Sequence, residues 1–359
     1  MRQIALPLLL ALIATTTKAE DGAPDVKAAI DKGLAYLAKE AVTWKTERKC
    51  ASCHHAPFAI WSLNEATKLG YAVDQKALAE VASWVVAKDN PAKVFPAPPQ
   101  PETPKPETPK PESAQPEKKS EPEKPQPEII VNQAPLMLAL GFEAGEIKDE
   151  LAREGLVKMV STVLDQQRPD GSWGILYVWE PIGSTPDVLT SLALLSLTSP
   201  SVPDLGQRSQ EAQQKGLAYL EADNADPSLQ RLALKLLLWR RLKRPADEQE
   251  KIVQQIVALQ NADGGFSQNK ELASDGYATG QTLYALAEAG VPTDHPAVVK
   301  ARAFLVKSQD AGGSWAMSSR PGGPGGKSAK NAAPITYAGT AWAVMGLMRS
   351  SAQPGGTAN

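Results

Sequence analysis

An all-α fold, with six helix hairpins in two concentric rings, is predicted by three features of this sequence. Its helical segments alternate between those apolar on one face and those apolar nearly all round. The hexapeptide Lys32-Gly33-Leu34-Ala35-Tyr36-Leu37 returns unchanged at Lys215–Leu220. A turn signature recurs as Gln167-Arg-Pro-Asp170-Gly171-Ser172-Trp173, Gln260-Asn-Ala-Asp263-Gly264-Gly265-Phe266 and Gln309-Asp-Ala-Gly312-Gly313-Ser314-Trp315. Self-similarity of this kind marks repeated supersecondary units that bury their faces against one another.

The chain opens with Arg2, an apolar run from Ile4 to Ala14, and Thr17-Lys18-Ala19 ahead of Glu20, which predicts a secretory signal peptide over 1–19. That run is too short for a permanent anchor. No later stretch of its length lacks charges, so no transmembrane segment is expected and the mature protein is placed in the periplasm or outside the cell. Taking away Arg2 and Lys18 moves the formal charge from −2 to about −4. Weak acidity argues against nucleic acid or an anionic membrane as partner.

Six pairs follow within 20–350, read as one domain, before a flexible tail over 351–359. The first helices are expected over 26–42, 75–90, 149–167, 207–222, 246–260 and 296–309. Their partners are expected over 56–70, 131–141, 187–198, 228–243, 277–290 and 337–349. The first helices keep a charged face (Asp31, Lys32, Lys39), whereas partners such as Leu189–Leu197 are apolar nearly all round. Polar-faced helices outside and buried ones inside account for both patterns. In three partner helices a Thr precedes a Leu by seven residues, at Thr190/Leu197, Thr279/Leu286 and Thr340/Leu347; two turns put each pair on one face.

The first hairpin carries the one chemical motif, Cys50-Ala51-Ser52-Cys53-His54. Two cysteines three apart can take both vinyl groups of one macrocycle, and the next imidazole can ligate its iron. The chain has only these two cysteines, and its export signal suits covalent haem attachment. Haem c is therefore the expected cofactor, bound by Cys50, Cys53 and His54, with His54 on the metal. A small disulfide or redox pair leaves His54 unexplained. A zinc site needs more ligands than His55 and the distant His295 supply. Sixth-ligand candidates are Met137, Met159, Met317, Met345 and Met348, each of which also reads as apolar packing.

The second hairpin is interrupted over 96–128, where 12 of the 30 prolines lie and Pro-Glu-Thr-Pro-Lys occurs twice in tandem. This composition has almost nothing to bury and predicts a disordered, extended insertion.

The Gln-x-x-Asp-Gly-Ser-Trp signature, tied to alternating helix pairs, resembles that of the squalene–hopene cyclases and protein prenyltransferases. The resemblance covers nearly the whole mature chain and implies a closed α6/α6 toroid. It also implies that Gln167, Trp173, Gln260, Phe266, Gln309 and Trp315 tie adjacent helices together rather than catalyse. The third copy has Gly312 where Asp is expected, which weakens that copy only. In the family, the face carrying the outer-to-inner loops leads into a central cavity. By this resemblance the haem motif would lie across the mouth of the barrel. Rim candidates are then His55, Asp187, Asp275, Tyr277, Gln281 and Tyr337, each with a plainer role as cap or core, and Leu283 and Trp342 would line the pocket.

Familiar chemistry does not accompany the fold. The cyclases protonate substrate with Asp-x-Asp-Asp, but the comparable stretch here is Pro186-Asp187-Val188-Leu189. Prenyltransferase zinc ligands include a cysteine, and the later repeats have none. Two functions remain. One is an exported c-type haem protein, working in electron transfer with a redox partner or in haem-linked chemistry. The other is a haem-free module, or diverged cyclase-like protein, that binds an apolar isoprenoid-like molecule.

Overall fold

Outer helices form where one apolar stripe recurs at three- and four-residue spacing, and inner ones where apolar residues run nearly all round. In a computed structural model, residues 25–48, 55–87, 133–145, 150–174, 185–200, 202, 205–222, 228–317 and 332–351 are described. Among them are twelve helices and no strand. The outer helices are α1 (Val26–Arg48), α3 (Gln75–Val86), α5 (Glu150–Asp165), α7 (Gln207–Glu221), α9 (Ala246–Val257) and α11 (Pro296–Ser308). The inner ones are α2 (His55–Lys68), α4 (Gln133–Ala144), α6 (Pro186–Leu197), α8 (Leu229–Arg241), α10 (Gly276–Glu288) and α12 (Ala333–Ser350).

Burial separates the two sets. In α9 only Ile252, Val253 and Ile256 are buried, whereas every residue of α10 from Gly276 to Leu286 is. Helix starts follow local chemistry. Thr185, Ser228 and Asp275 cap α6, α8 and α10 by accepting from Val188, Arg231 and Ala278 amides, and Pro186 and Pro296 open α6 and α11.

Each inner helix packs on its two neighbours, α2 through α12 in chain order, and α12 returns to α2. Outside, α1 meets α3, α3 meets α5, α5 meets α7, and α11 returns to α1. The chain is an α/α toroid. Helices α10 and α12 approach most closely. A side chain at Gly280 would meet the Trp342–Ala343 backbone, and one at Gly346 the carbonyl of Gly280.

The turn signature closes the outer ring. Gln167 Nε2 donates to the carbonyls of Gly171 in its own turn and Ala212 on α7, at 3.0 and 2.8 Å. Gln260 does the same to Gly264 and to Ala297 of α11. Gln309 repeats it to Gly313 and to Ala29 of α1, across the seam between the last hairpin and the first. The turn glycines need positive φ (+88°, +84° and +91° at 171, 264 and 313) and lie against the Lys215, Lys300 and Lys32 carbonyls. Each motif's aromatic residue donates its amide to an inner-helix hydroxyl: Trp173 to Thr190, Phe266 to Thr279 and Trp315 to Thr340. These are the threonines singled out by their spacing to leucine.

Two expectations change. Gly312 does not weaken the third turn, because Asp310, two residues earlier, accepts from the Ser314 amide as Asp170 accepts from Ser172. Helix α1 continues to Arg48 instead of ending at 42, since Trp44 stacks on His55 and Lys45 pairs with Glu80 at 2.9 Å. The stretches 1–19 and 96–128 and most of the tail lie outside the described residues.

Candidate functional site

The N-terminal turns of the inner helices meet at one end of the toroid. His55, the first residue of α2, is buried between two rings. Trp44 lies 3.9 Å away at 9° and Tyr337 of α12 lies 4.0 Å away at 24°. Tyr337 donates its hydroxyl to the Leu37 carbonyl at 2.8 Å, so the stack joins α1, α2 and α12. Burial first, and then the nearby Tyr36 and Glu40, push the Tyr337 phenol well above its ordinary value.

Around the same rim, the Tyr277 hydroxyl of α10 accepts from Gln230 Nε2 of α8 at 3.2 Å. Asp187 of α6 faces Arg231 of α8, with Oδ1 and Nε 3.6 Å apart and both side chains almost wholly buried. Asp187 does not cap α6, a task that falls to Thr185. Asp275 does cap α10, and also accepts from Gln268 Nε2 at 2.6 Å. Gln281 is buried one turn further along α10. Five of the six expected rim residues thus join or cap helices. Cys50, Cys53 and His54 lie outside the described residues, but His55, the residue after the motif, belongs to this rim.

Of the methionines, Met345 and Met348 are buried in the later turns of α12, and Met137 is buried on α4. Met317 packs against Gly339 of α12, which also neighbours the Tyr277 amide, so its sulfur belongs to the rim. The Met159 side chain lies outside the described residues. No group of three His, Cys, Asp or Glu side chains able to hold a metal occurs among the described residues.

Trp342 and Leu283 are fully buried between the inner helices. Trp342 makes edge contacts with Phe58, Trp61, Tyr277 and Tyr284, centroids 5.1–6.3 Å apart, and its Nε1 is buried without a hydrogen-bond partner. Below this cluster the C-terminal turns form a charged end unforeseen from the sequence. Arg349 of α12 pairs with Glu65 of α2 and with Glu288 of α10, the latter at 3.1 Å. Tyr284 donates to Glu65 Oε1 at 3.0 Å. Burial, then the Glu65 and Glu288 carboxylates, raise the Tyr284 phenol well above its ordinary value. Burial alone would lower the Arg349 guanidinium, but Glu65, Tyr284 and Glu288 outweigh it and raise it. Single charges inside predicted apolar helices carry no periodic signal, which is why this end escaped notice.

Residues 247–358, which take in α9 to α12, match the squalene-hopene cyclase C-terminal domain. The fold is terpenoid cyclase-like. Cycloartenol synthase of Dictyostelium discoideum is 40% identical over 74 residues, 20% of this chain and 10% of that protein. The chain therefore spans about a tenth of that relative's length. No helix among the described residues is long and apolar enough to cross a membrane.

Proposed function

We propose that the protein is an exported c-type haem protein on a terpenoid cyclase-like toroid, serving electron transfer or haem-linked chemistry at the barrel mouth. The observation that supports this reading is the Cys50-Ala-Ser-Cys53-His54 motif running directly into His55, which is held at the inner-ring rim by Trp44 and Tyr337. The donor set suits the group: two thiols for its vinyl carbons and one imidazole for its iron. Bound haem supplies a one-electron ferric–ferrous couple. His54 would hold the iron from one side. The His55 stack would keep that stretch of chain against the rim and shield it from water. The His55 ring itself is taken up between Trp44 and Tyr337.

The export signal, Arg2 to Ala19, belongs to the same reading, since covalent haem attachment of this type takes place outside the cytoplasm. A second reading, a haem-free binder or diverged cyclase-like protein for an apolar isoprenoid-like molecule, is favoured by the match over 247–358 and the aromatic cluster about Trp342. Mass spectrometry and a pyridine haemochrome spectrum of protein made in an export-competent host with c-type maturation separate the two. One covalent haem per chain, lost in Cys50→Ala/Cys53→Ala, is expected. A bare mass with a Cys50–Cys53 disulfide would sink the haem reading.

A further inference from the structure

The C-terminal end of the inner ring encloses a cavity of about 260 Å³ with contributions from α2, α4, α6, α8 and α10. Its floor is aromatic, formed by Trp61 and Tyr284, which stand edge to face at 5.9 Å. Leu195 and Leu237 belong to its apolar wall. Its mouth carries both signs of charge. Glu143 Oε1 and Arg241 pair at 2.6 Å, and Arg241 also donates to the Leu195 carbonyl. That pair ties α4, α6 and α8 together.

Arg240 is different. It is exposed, its Nε donates to the Glu288 carbonyl at 3.0 Å, and its guanidinium has no carboxylate partner among the described residues. Beside it the Glu288 side chain is a third exposed, with Arg349 on one side. An exposed guanidinium and a partly open carboxylate therefore both border the apolar, aromatic floor.

We propose that this cavity binds a small zwitterion with an apolar side chain, a free apolar or aromatic α-amino acid. Its carboxylate would sit on Arg240 and its ammonium on Glu288, residues of adjacent inner helices that both line the cavity. Its side chain would lie between the Trp61 and Tyr284 rings and the leucine wall. The lining holds two arginines and two glutamates, so a ligand with net charge gains nothing from the local field, while a dipolar one gains at both ends. The volume falls just under the roughly 300 Å³ at which pockets for drug-sized ligands begin, which suits an amino acid and excludes a long isoprenoid chain. The site stands at the opposite end of the inner ring from His55 and does not rest on the haem reading.

Titration calorimetry of the full mature chain with L-phenylalanine and L-leucine tests this. N-acetyl-L-phenylalanine, which lacks the ammonium, and L-phenylalaninamide, which lacks the carboxylate, serve as the comparison probes. We expect saturable binding of one amino acid per chain, about tenfold weaker for either derivative. Arg240→Gln should also weaken L-phenylalanine binding about tenfold, yet leave the thermal midpoint in place because Arg240 is exposed. Absence of saturable binding overturns the proposal. So does equal affinity for the N-acetyl derivative, which would identify an aromatic acid in place of a zwitterion. Binding that ignores Arg240→Gln overturns it as well, by putting the ligand elsewhere.

Discussion

Replacing Gly280 by alanine sets two principles against each other. Helix propensity favours alanine by about 1 kcal/mol at an interior position such as this one in α10. Packing opposes it. The new methyl would meet the Trp342 carbonyl oxygen at 2.5 Å and come nearer still to the Trp342 carbonyl carbon and the Ala343 nitrogen, whereas ordinary contact begins at 3.4 Å. All three are backbone atoms of α12, so no side chain can rotate away. The two helices must part by roughly 1 Å, in a core where Leu283, Trp342 and Leu347 are fully buried. Overpacking of this kind costs about 1–3 kcal/mol, and the upper part of that range applies when the obstacle is backbone. The net expectation is a loss of about 2 kcal/mol in urea unfolding followed by circular dichroism. Gly290→Ala is the control. It has open space around it but a φ of +83°, so it should lose about 1 kcal/mol through backbone conformation alone. A Gly280→Ala protein as stable as wild type would refute the close approach of α10 and α12.

Gln309→Ala removes two hydrogen bonds at the seam, to Ala29 and Gly313, and should cost about 1–2 kcal/mol. Amide exchange should quicken in α1 in that variant and not in Gln260→Ala, whose bonds hold α11. Tyr284 and Tyr337 are both raised, so the folded chain favours their neutral form. Their contribution is complete below the unfolded value of about 10 and declines as pH climbs from there toward the folded values, which a urea midpoint measured against pH would show. Tyr337→Phe should soften that alkaline decline, and an unchanged profile would contradict the burial of this phenol. Deleting 97–127 removes a stretch with almost no apolar side chains, so the unfolding midpoint should hold; a loss of several kcal/mol would show that the segment packs.

Much of the fold was legible because a toroid writes its contacts into the sequence at fixed intervals. The hexapeptide at Lys32 and Lys215 is an example. Gly33 and Gly216 receive the edges of Trp315 and Trp173, at 3.3 and 2.9 Å from where a side chain would begin. The preceding lysine carbonyls take the turn glycines. At the remaining seam the ring is the smaller Phe266 and the glycine's counterpart is Ala301, so the hexapeptide is absent where no indole needs the space. The rim was half legible. Position in the repeat brought His55, Tyr277 and Tyr337 to one end, but it could not say which partners they take. Asp187 shows the limit: its place in the first turn suggests a cap, and only the neighbouring helix supplies Arg231.

The two ends of the ring consequently differ in what they have left to offer. At the rim the polar groups are spent on holding helices together: Tyr337 on Leu37, Gln230 on Tyr277, Asp187 on Arg231, and Asp275 on its own helix. These rim residues serve chiefly as scaffold. At the far end Glu65, Tyr284 and Arg349 do similar work, while Arg240 has no carboxylate partner among the described residues. A surface guanidinium without a carboxylate is ordinary; one at the mouth of a cavity floored by Trp61 and Tyr284 is not. The toroid needs its inner helices apolar to close, and closing brings their last turns, where charge can again reach solvent, into a single ring. The cavity at the far end is thus a consequence of the same geometry that seats His55 at the rim.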